Sequence, residues 1–406
     1  QSTWGSTAAM EFFRCRRHIT TLRLYSTSIL SPDSKSPLSA IAKSRMALSL
    51  LKSEQNPEKV IDICRAAALT PNHHIDRLAF SLAVSNLSKS NNFSYIKSYI
   101  DELRSTRKDL KNERFIAHAI VLFGQAKMIN DAVNLFKEYH ESAREGSVRC
   151  LNALIFACVL GKDFKEMKRV FVDFPQNYNV KPNVETYNRI IKGFGESLEA
   201  NSSYSIIAEM EQGSLKPDAA TFSEMLIGFY NEKKLDDVDK VLLLMKNKYH
   251  LHQTLPIINV RVKCLCKLYK SSEAKKLLDE MLEKQKKPNS VTFTELIHGF
   301  CSEGNLEEAK RLFDEMVTLR LKPPSDLYFT LVHFHLIGGD LEGSLRFCKE
   351  SLEKRWVPNF TTIKNLVNGL KGKGKVDEAK ELLGLVKSKA LKKMDLWEDI
   401  EAGLND

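Results

Sequence analysis

The sequence lacks the features of a membrane-spanning protein and of a disulfide-stapled one. No stretch approaches the roughly 18 uninterrupted apolar residues that a membrane helix needs. The eight cysteines form no paired framework and no C-x-x-C motif, and Cys264 and Cys266 are too close in sequence for such a ligand pair. Cys301 falls on an apolar helical face, where a free thiol behaves as a small hydrophobic side chain. These absences favour a reduced compartment.

Acidic residues are fewer than basic ones. The chain has 61 Lys and Arg against 51 Asp and Glu, a formal net charge of +10, of which residues 1–40 contribute +3. An excess of this sign favours an anionic partner such as RNA, although a solvated basic surface explains it nearly as well.

The first forty residues lack the pattern of a folded segment. Residues 10–31 contain four arginines, many hydroxyl side chains and a single acid, Glu11. This composition is typical of an organelle transit peptide. Arg23 lies three residues before Ser26, which resembles the cleavage pattern of plant mitochondrial presequences. We expect residues 1–40 to be a mitochondrial transit peptide, or alternatively a disordered basic tail, and the mature protein to lie in the mitochondrial matrix.

Short proline-containing motifs return at a fixed interval along the rest of the chain. Their last residues are Asn183, Asp218, Asn289, Pro324 and Asn359. Neighbouring motif ends are 35 residues apart, except that 71 residues, or two units, separate Asp218 from Asn289. A period of this length is the signature of a repeat protein.

Residues 290–324 show what one unit contains. Apolar residues from Phe293 to Phe300 recur at helical spacing, Gly304 interrupts the pattern, and a second apolar stripe runs on to Met316. One such hairpin is too thin to bury its own apolar faces, so it needs a neighbour on each side.

The repeat predicts an all-α fold, a right-handed α-solenoid superhelix of about ten 35-residue helix-turn-helix units over residues 41–394. The expected units are 41–76, 77–112, 113–147, 148–183, 184–218, 219–254, 255–289, 290–324, 325–359 and 360–394. The first two are degenerate, as terminal repeats usually are. Residues 395–406, with Trp397, are expected to form a closing helix. Tyr187, Phe222 and Phe293 recur at one position and are expected in the core.

Four short segments resemble the pentatricopeptide repeat family. They are residues 184–188 (VETYN), 216–218 (KPD), 299–304 (GFCSEG) and 314–316 (DEM). The resemblance extends over about 350 residues, and the first-helix pattern of the 34-residue tetratricopeptide repeat is absent. The catalytic zinc extension found in some members requires H-x-E followed by P-C-x-x-C, and no C-x-x-C occurs here. The resemblance therefore implies a protein without enzymatic activity, metal, cofactor or small-molecule substrate.

Segments outside the general repeat pattern resemble a group of plant mitochondrial members found in the mitochondrial ribosome. They are residues 60–67, 113–121, 151–158 and 204–211. This implies a structural role in the ribosome, in the small subunit, with mitochondrial rRNA and ribosomal proteins as partners and no membrane. Two alternatives stay open: a free factor that stabilises or processes an organelle transcript, and a scaffold that binds only protein.

In this family one base is read per unit by two side chains, at the fifth position of the first helix and at the last position of the unit. Carried onto this sequence, the matching pairs are Asn152 with Asn183, Asn188 with Asp218, and Asn259 with Asn289. The resemblance implies uracil for an Asn–Asp pair and pyrimidines for an Asn–Asn pair. A carboxamide offers a base edge both a donor and an acceptor.

The other units depart from this pattern. They have Ala117 with Ser147, Ser223 with Thr254, Thr294 with Pro324, Phe329 with Asn359, and Lys364 at the last reading position. Three readers at roughly 1–3 kcal/mol of discrimination each cannot address one transcript. The sequence fits binding led by RNA shape and phosphates better.

Each candidate residue also has an explanation without RNA. Asn183, Asp218 and Asn289 precede a helix, where an N-cap is worth about 1 kcal/mol by itself. Asn152, Asn188 and Asn259 lie inside a first helix, where asparagine has low propensity, so contact with a base is favoured there.

Four lysines are candidate phosphate contacts. Lys267 matches the phosphate-facing lysine of the family, and Lys371, Lys373 and Lys375 lie in residues 360–394, which hold nine lysines and three acids. Their contribution would be salt-dependent and blind to sequence. A solvated lysine face is the alternative.

Overall fold

The computed structural model describes residues 39–67, 69, 74–107, 110, 112–143, 146–389, 397 and 400. The expected transit segment lies outside these residues except at its last two positions. The expected closing helix is described only at Trp397 and Ile400. The buried ring of Trp397 packs on Phe360, with ring centroids 4.7 Å apart.

The part of the chain that the structure describes contains twenty α-helices and no β-strand, which confirms the predicted all-α fold. It divides into two compact units, Gln1–Pro217 (unit 1) and Asp218–Asp406 (unit 2). Within the described ranges, every helix is too short or too polar to span a membrane.

The described residues of unit 1 form five helical hairpins. Their helices are α1 (Ala40–Leu51), α2 (Pro57–Ala66), α3 (His74–Lys89), α4 (Phe93–Thr106), α5 (Glu113–Gln125), α6 (Ile129–Ala143), α7 (Val148–Gly161), α8 (Phe164–Asn177), α9 (Val184–Glu196) and α10 (Ser203–Gln212).

Five hairpins are also found in the part of unit 2 that the structure describes. Their helices are α11 (Ala219–Asn231), α12 (Leu235–Asn247), α13 (Leu255–Lys267), α14 (Ser271–Glu283), α15 (Ser290–Ser302), α16 (Leu306–Thr318), α17 (Ser325–Ile337), α18 (Leu341–Glu353), α19 (Phe360–Gly372) and α20 (Val376–Lys389). In both units the odd-numbered helix is the first of its hairpin and the even-numbered helix is the second.

The turn inside a hairpin reverses the chain through one residue with positive φ. Gly304, at φ 76°, holds this place between α15 and α16, as its position in the sequence predicts. Glycine adopts this conformation without a steric penalty. The same turn position is occupied in other hairpins by Asn91, Lys127, Lys162, Leu198, Lys233, Tyr269, Gly339 and Gly374.

Within each unit, a first helix packs on the first helix of the next hairpin, as α5 packs on α7 and α13 on α15. The approach is close, since a Cβ atom on Gly124 of α5 would lie 2.3 Å from the Cα of Ala157 in α7. Tyr187, Phe222 and Phe293 are buried, which confirms their predicted place in the core. The apolar faces between hairpins are therefore the core, and one face of the first helices stays outside it.

The described cysteines are structural. All seven are free and buried, and burial raises the pKa of Cys64, Cys301 and Cys348 to about 12. They are neutral apolar thiols near pH 7.

Candidate nucleic-acid interface

The structure distributes the predicted reading residues over the two units. Asn152 in α7, Asn183 before α9 and Asn188 in α9 belong to unit 1. Asp218, Asn259 and Asn289 belong to unit 2. Two of the three predicted pairs therefore lie wholly inside one unit, and the pair of Asn188 and Asp218 is divided between them.

The pair in unit 1 is part of a three-residue hydrogen-bonded cluster. Nδ2 of Asn152 donates to Oδ1 of Asn183 at 3.2 Å, and Oγ1 of Thr186 donates to Oδ1 of Asn152 at 2.6 Å. Asn183 also caps α9, because its Oδ1 accepts from the backbone N–H of Thr186 and its own N–H donates to Thr186 Oγ1. Asn152 is 3% exposed. The cluster fixes the orientation of the Asn152 carboxamide.

Unit 2 repeats the same cluster. Nδ2 of Asn259 donates to Oδ1 of Asn289 at 3.2 Å, and Oγ1 of Thr292 donates to Oδ1 of Asn259 at 2.7 Å. Asn289 caps α15 with the same reciprocal bonds to Thr292. Asn259 is half-buried, so it is more open to solvent than Asn152.

Each cluster leaves part of its carboxamide available. The amide nitrogen of Asn152 or Asn259 carries two N–H groups and uses one, and the oxygen has two lone pairs and uses one. One donor and one acceptor therefore stay outside the bonds of the cluster, on a side chain that is half-buried in Asn259 and 3% exposed in Asn152. The intramolecular bonds also give both asparagines partners without any ligand.

Most residues at the last position of a 35-residue repeat act as the N-cap of the next helix. The side chains of Asn183, Asp218, Asn289 and Asn359 each accept a backbone N–H of the following helix. Thr254 and Pro324, at the same position, make no such side-chain bond. The capping explanation of these residues is therefore correct, and it does not exclude a second role.

The other reading positions differ from the clusters. Ser223 donates back to the carbonyl of Ala219, and the buried Oγ1 of Thr294 has no partner among the described residues. Ala117 is buried, Phe329 is half-buried and Lys364 is exposed. None of these side chains can replace the carboxamide of an asparagine.

A cleft of about 580 Å³ lies over the cluster of unit 1. Asn152 and Asn183 line it together with residues of α3, α5, α7 and α9, among them Arg77, Arg114, Arg149, Arg189, Glu113 and Glu185. Arg149 pairs with Glu113 at 3.4 Å and Arg189 with Glu185 at 2.6 Å. Arg77 and Arg114 are exposed and pair with no described residue. The cleft is thus positive beside the carboxamide.

His118 lies in the wall of this cleft. Burial lowers the pKa of its imidazole to about 4, with the nearby Arg77 guanidinium adding to the effect. The ring meets Phe80 edge-on, and its buried Nε2 atom has no partner among the described residues. The imidazole is therefore neutral near pH 7, and the positive charge of the cleft comes from the arginines.

The four predicted phosphate lysines have different surroundings. Lys267, Lys371 and Lys373 are exposed. Lys375 pairs with Glu342 at 2.8 Å and with Glu378 at 3.5 Å, and these contacts raise its pKa. Lys375 therefore already forms ion pairs with acidic residues of unit 2.

Ion pairs between hairpins engage other basic residues as well. In unit 1 they include Arg65–Glu102, Lys97–Asp131, Arg104–Glu138 and Lys168–Glu199, besides Arg149–Glu113. In unit 2 they include Lys263–Glu295, Arg346–Asp314 and Lys349–Glu381. The residues best placed to attract an anion are the exposed ones outside this set.

Sequence reasoning missed two threonines, Thr186 and Thr292, and two arginines, Arg114 and Arg149, which we call the arginine row. Thr186 and Thr292 each stand three residues after a capping asparagine, which is the spacing of a capping box. Arg114 and Arg149 are each the second residue of a first helix and are 35 residues apart. A comparison of charge at equivalent positions of successive repeats would have found the two arginines.

Stretches in both halves of the chain match sequence profiles of known repeats. Residues 134–197 match the pentatricopeptide repeat domain, and residues 259–285 and 284–317 match the PPR repeat.

Full-length relatives occur in Arabidopsis thaliana. The chain is 46% identical over 385 residues to the "pentatricopeptide repeat-containing protein At1g11630, mitochondrial", with 95% of each protein covered. It is 27% identical over 386 residues to "small ribosomal subunit protein mL103 (rPPR7)", with 94% of this chain and 93% of that protein covered. Both alignments extend over nearly the whole length of both proteins.

A solved structure of similar class is the pentatricopeptide repeat protein PPR10 in complex with an 18-nucleotide psaJ RNA element. The sequence identity is 17% and the TM-score is 0.38, and the match covers 94% of this chain and 58% of that one. The chain thus spans a little more than half the length of that protein.

Proposed function

Since the chain belongs to the pentatricopeptide repeat family, we propose that it is a non-catalytic RNA-binding protein of the mitochondrion and a structural component of the mitochondrial ribosome. It belongs to the small subunit and contacts rRNA and neighbouring ribosomal proteins. The observation that carries the RNA-binding part is the cluster of two asparagines and a threonine. It occurs in both units and leaves a donor and an acceptor available on an oriented carboxamide.

The arginine-lined cleft supports the same conclusion. RNA binding combines contacts to base edges with contacts to phosphates. In unit 1 the two kinds of group are adjacent, because Arg114 and Arg149 line the cleft that also contains Asn152. A strand that places a base on the carboxamide would have its backbone beside these guanidinium groups.

The ribosomal part of the proposal has separate support. The similarity to the ribosomal protein mL103 covers nearly the full length of both chains. The reading positions also include side chains that cannot read a base, such as Ala117 and Phe329, among the asparagines. Such a surface suits a fixed RNA partner recognised by shape better than a search for one transcript.

Sedimentation of a mitochondrial extract tests the ribosomal part. The full-length tagged protein is expected to migrate with the small ribosomal subunit and to leave it after digestion with ribonuclease. Migration at low mass in both samples would eliminate the ribosomal role. If the low-mass protein still bound RNA, it would be a free transcript factor. If it bound only protein, it would be a scaffold.

RNA binding itself is tested with one substitution in each unit. Asn152→Ala with Asn259→Ala is expected to weaken binding of a pyrimidine-rich single strand by roughly tenfold or more, because two carboxamides are lost. The matched control is Asn177→Ala with Asn247→Ala, two exposed asparagines at the ends of second helices. Helical content and thermal midpoint are measured for both variants. Equal affinities of the two well-folded variants would show that the clusters do not contact RNA.

A further inference from the structure

Unit 2 has a second concentration of positive charge, at the connections that lead from a second helix to the next first helix. These are residues 248–254, 284–289, 319–324 and 354–359, and we include with them Lys246 in the last turn of α12. Together they hold nine Lys and Arg residues and no Asp or Glu. The five corresponding connections of unit 1, residues 67–73, 107–112, 144–147, 178–183 and 213–217, together hold six Lys and Arg residues and two acids. We call the four connections of unit 2 the basic edge.

Six side chains of the basic edge are exposed and available. They are Lys246, Lys286, Lys287, Arg320, Lys322 and Arg355, and none of them pairs with an acid among the described residues. Lys284 differs, because it pairs with Glu280 at 3.2 Å. The ammonium group of Lys354 lies 5.8 Å from the centre of the Tyr328 ring.

Contacts join the first three connections. Oγ of Ser290, the first residue of α15, donates to the carbonyl of Lys322 at 3.2 Å, which places the connection before α15 close to the one before α17. A cleft of about 250 Å³ lies between the first two connections and is lined by Lys246, His252, Lys284 and Lys286, among others. Helices that pack face to face are roughly 8–10 Å apart, so the charges of four connections extend over roughly 24–30 Å.

Two arginines of the basic edge adopt a backbone conformation that has a steric cost for any residue except glycine. Arg320 and Arg355 have φ of 57° and 61°, a conformation in which glycine has no steric cost and arginine does. The equivalent positions of unit 1 hold the small polar residues Asn179 and Ser214.

We propose that the basic edge of unit 2 binds the sugar-phosphate backbone of double-helical RNA. Exposed ammonium and guanidinium groups in a row suit the regular phosphates of a helix, which RNA-binding modules contact without reading sequence. Single strands are held by bases stacked on aromatic rings. The two large aromatic rings of the basic edge are not available for stacking with a base, because Tyr249 is buried and the ring of Trp356 packs on Tyr328. This surface is separate from the asparagine clusters and does not depend on them.

The first test is the salt dependence of binding to a fluorescent RNA hairpin. Lys287→Gln, Arg320→Gln and Lys322→Gln together are expected to weaken binding roughly tenfold at low salt and to reduce the salt slope by about 2. The control removes the same charge from exposed second-helix lysines that pair with no described acid, by Lys165→Gln, Lys276→Gln and Lys380→Gln. An unchanged slope in the edge variant, or an equal loss in the control, overturns the proposal.

Two further measurements fix the partner and separate this site from the clusters. Unlabelled duplex is expected to compete better than a single strand of the same length, and polyglutamate is expected not to compete. Asn152→Ala with Asn259→Ala is expected to leave duplex binding unchanged. Better competition by the single strand or by polyglutamate would overturn the duplex assignment. Loss of duplex binding in the asparagine variant would show that the edge is not a separate site.

The second test uses the strained backbone. Arg320→Gly is expected to raise the thermal midpoint, because the left-handed conformation suits glycine, and to weaken duplex binding about twofold to fivefold, because one cation is lost. Ser214→Gly in unit 1, at φ 56°, is expected to raise the midpoint without affecting binding. Unchanged affinity of the Arg320→Gly protein would show that this arginine makes no contact.

Discussion

The two units share a polar cluster and differ in where their unpaired charges lie. In unit 1 the unpaired Arg114 lines the cleft over the cluster, beside Arg149, which pairs with Glu113. In unit 2 the equivalent positions, in the two first helices up to Asn259, hold the uncharged Ala220 and Pro256, and six exposed unpaired cations lie on the basic edge. The repeat therefore determines which positions reach the surface, and the residue at each position determines what that surface binds.

The largest expected effect tests whether the two units are energetically independent. Phe136 packs on Phe174 and Tyr178 in unit 1, and Phe313 packs on Tyr328 and Phe347 in unit 2. Truncation of either ring to alanine should cost about 3–5 kcal/mol, because it leaves a cavity in a closed core. Hydrogen exchange should show the loss for Phe136→Ala in unit 1 only, and for Phe313→Ala in unit 2 only. Equal loss of protection in both units after either substitution would mean that the chain unfolds as one cooperative body.

The sequence predicts the helices better than the surfaces they carry. The 35-residue period and the proline motifs predict helices that begin after Asn183, Asp218 and Asn289, because an N-cap and its helix are neighbours in the sequence. The cluster, the cleft and the basic edge depend instead on residues about 30 or more positions apart. Whether Asn152 meets Thr186, or Lys375 meets Glu342, is decided by how two hairpins pack. The sequence correctly places Lys375 among the lysines of its unit and cannot show that an acid already holds it.

A smaller effect is expected from the histidine of the unit 1 cleft. Burial holds the pKa of His118 at about 4 in the folded protein, against about 6.5 in an unfolded chain. Above pH 6.5 both states are neutral and His118 contributes nothing to the pH dependence. As the pH falls from 6.5 towards 4, the unfolded state takes up the proton first, so unit 1 should lose on the order of 2 kcal/mol.

The His118→Gln variant checks this assignment, because glutamine does not titrate in that range. Its unfolding free energy, followed by hydrogen exchange in unit 1, should decline less between pH 6.5 and 4 than that of the parent protein. A decline of the same size in both proteins would assign the pH dependence to other groups.

The arginine row should account for about 1.4 kcal/mol of RNA affinity. Arg114→Gln with Arg149→Gln is expected to weaken binding of single-stranded RNA about tenfold and to reduce the salt slope by roughly 1.4, since two phosphate contacts are lost. Ala220→Gln, at the position in unit 2 that corresponds to Arg114, is expected to cause no loss. The reverse change, Ala220→Arg, should increase affinity by giving unit 2 a charge where unit 1 has Arg114. If Ala220→Arg had no effect while the arginine pair remained necessary, position alone would not explain the difference between the units.

The smallest expected effect is a difference of about 1 kcal/mol between two equivalent threonines. Thr186→Val and Thr292→Val each remove the hydroxyl that donates to an asparagine Oδ1 and that accepts the N–H of a capping residue. In unit 1 the oxygen left without a donor belongs to Asn152, which is 3% exposed, so the loss should be about 2 kcal/mol. In unit 2 it belongs to the half-buried Asn259, where water can replace the hydroxyl, so the loss should be about 1 kcal/mol. Chemical denaturation followed by hydrogen exchange in each unit would measure both values. The reverse order would mean that the cleft of unit 1 already admits water to the cluster, and that burial of the asparagine does not distinguish the two units.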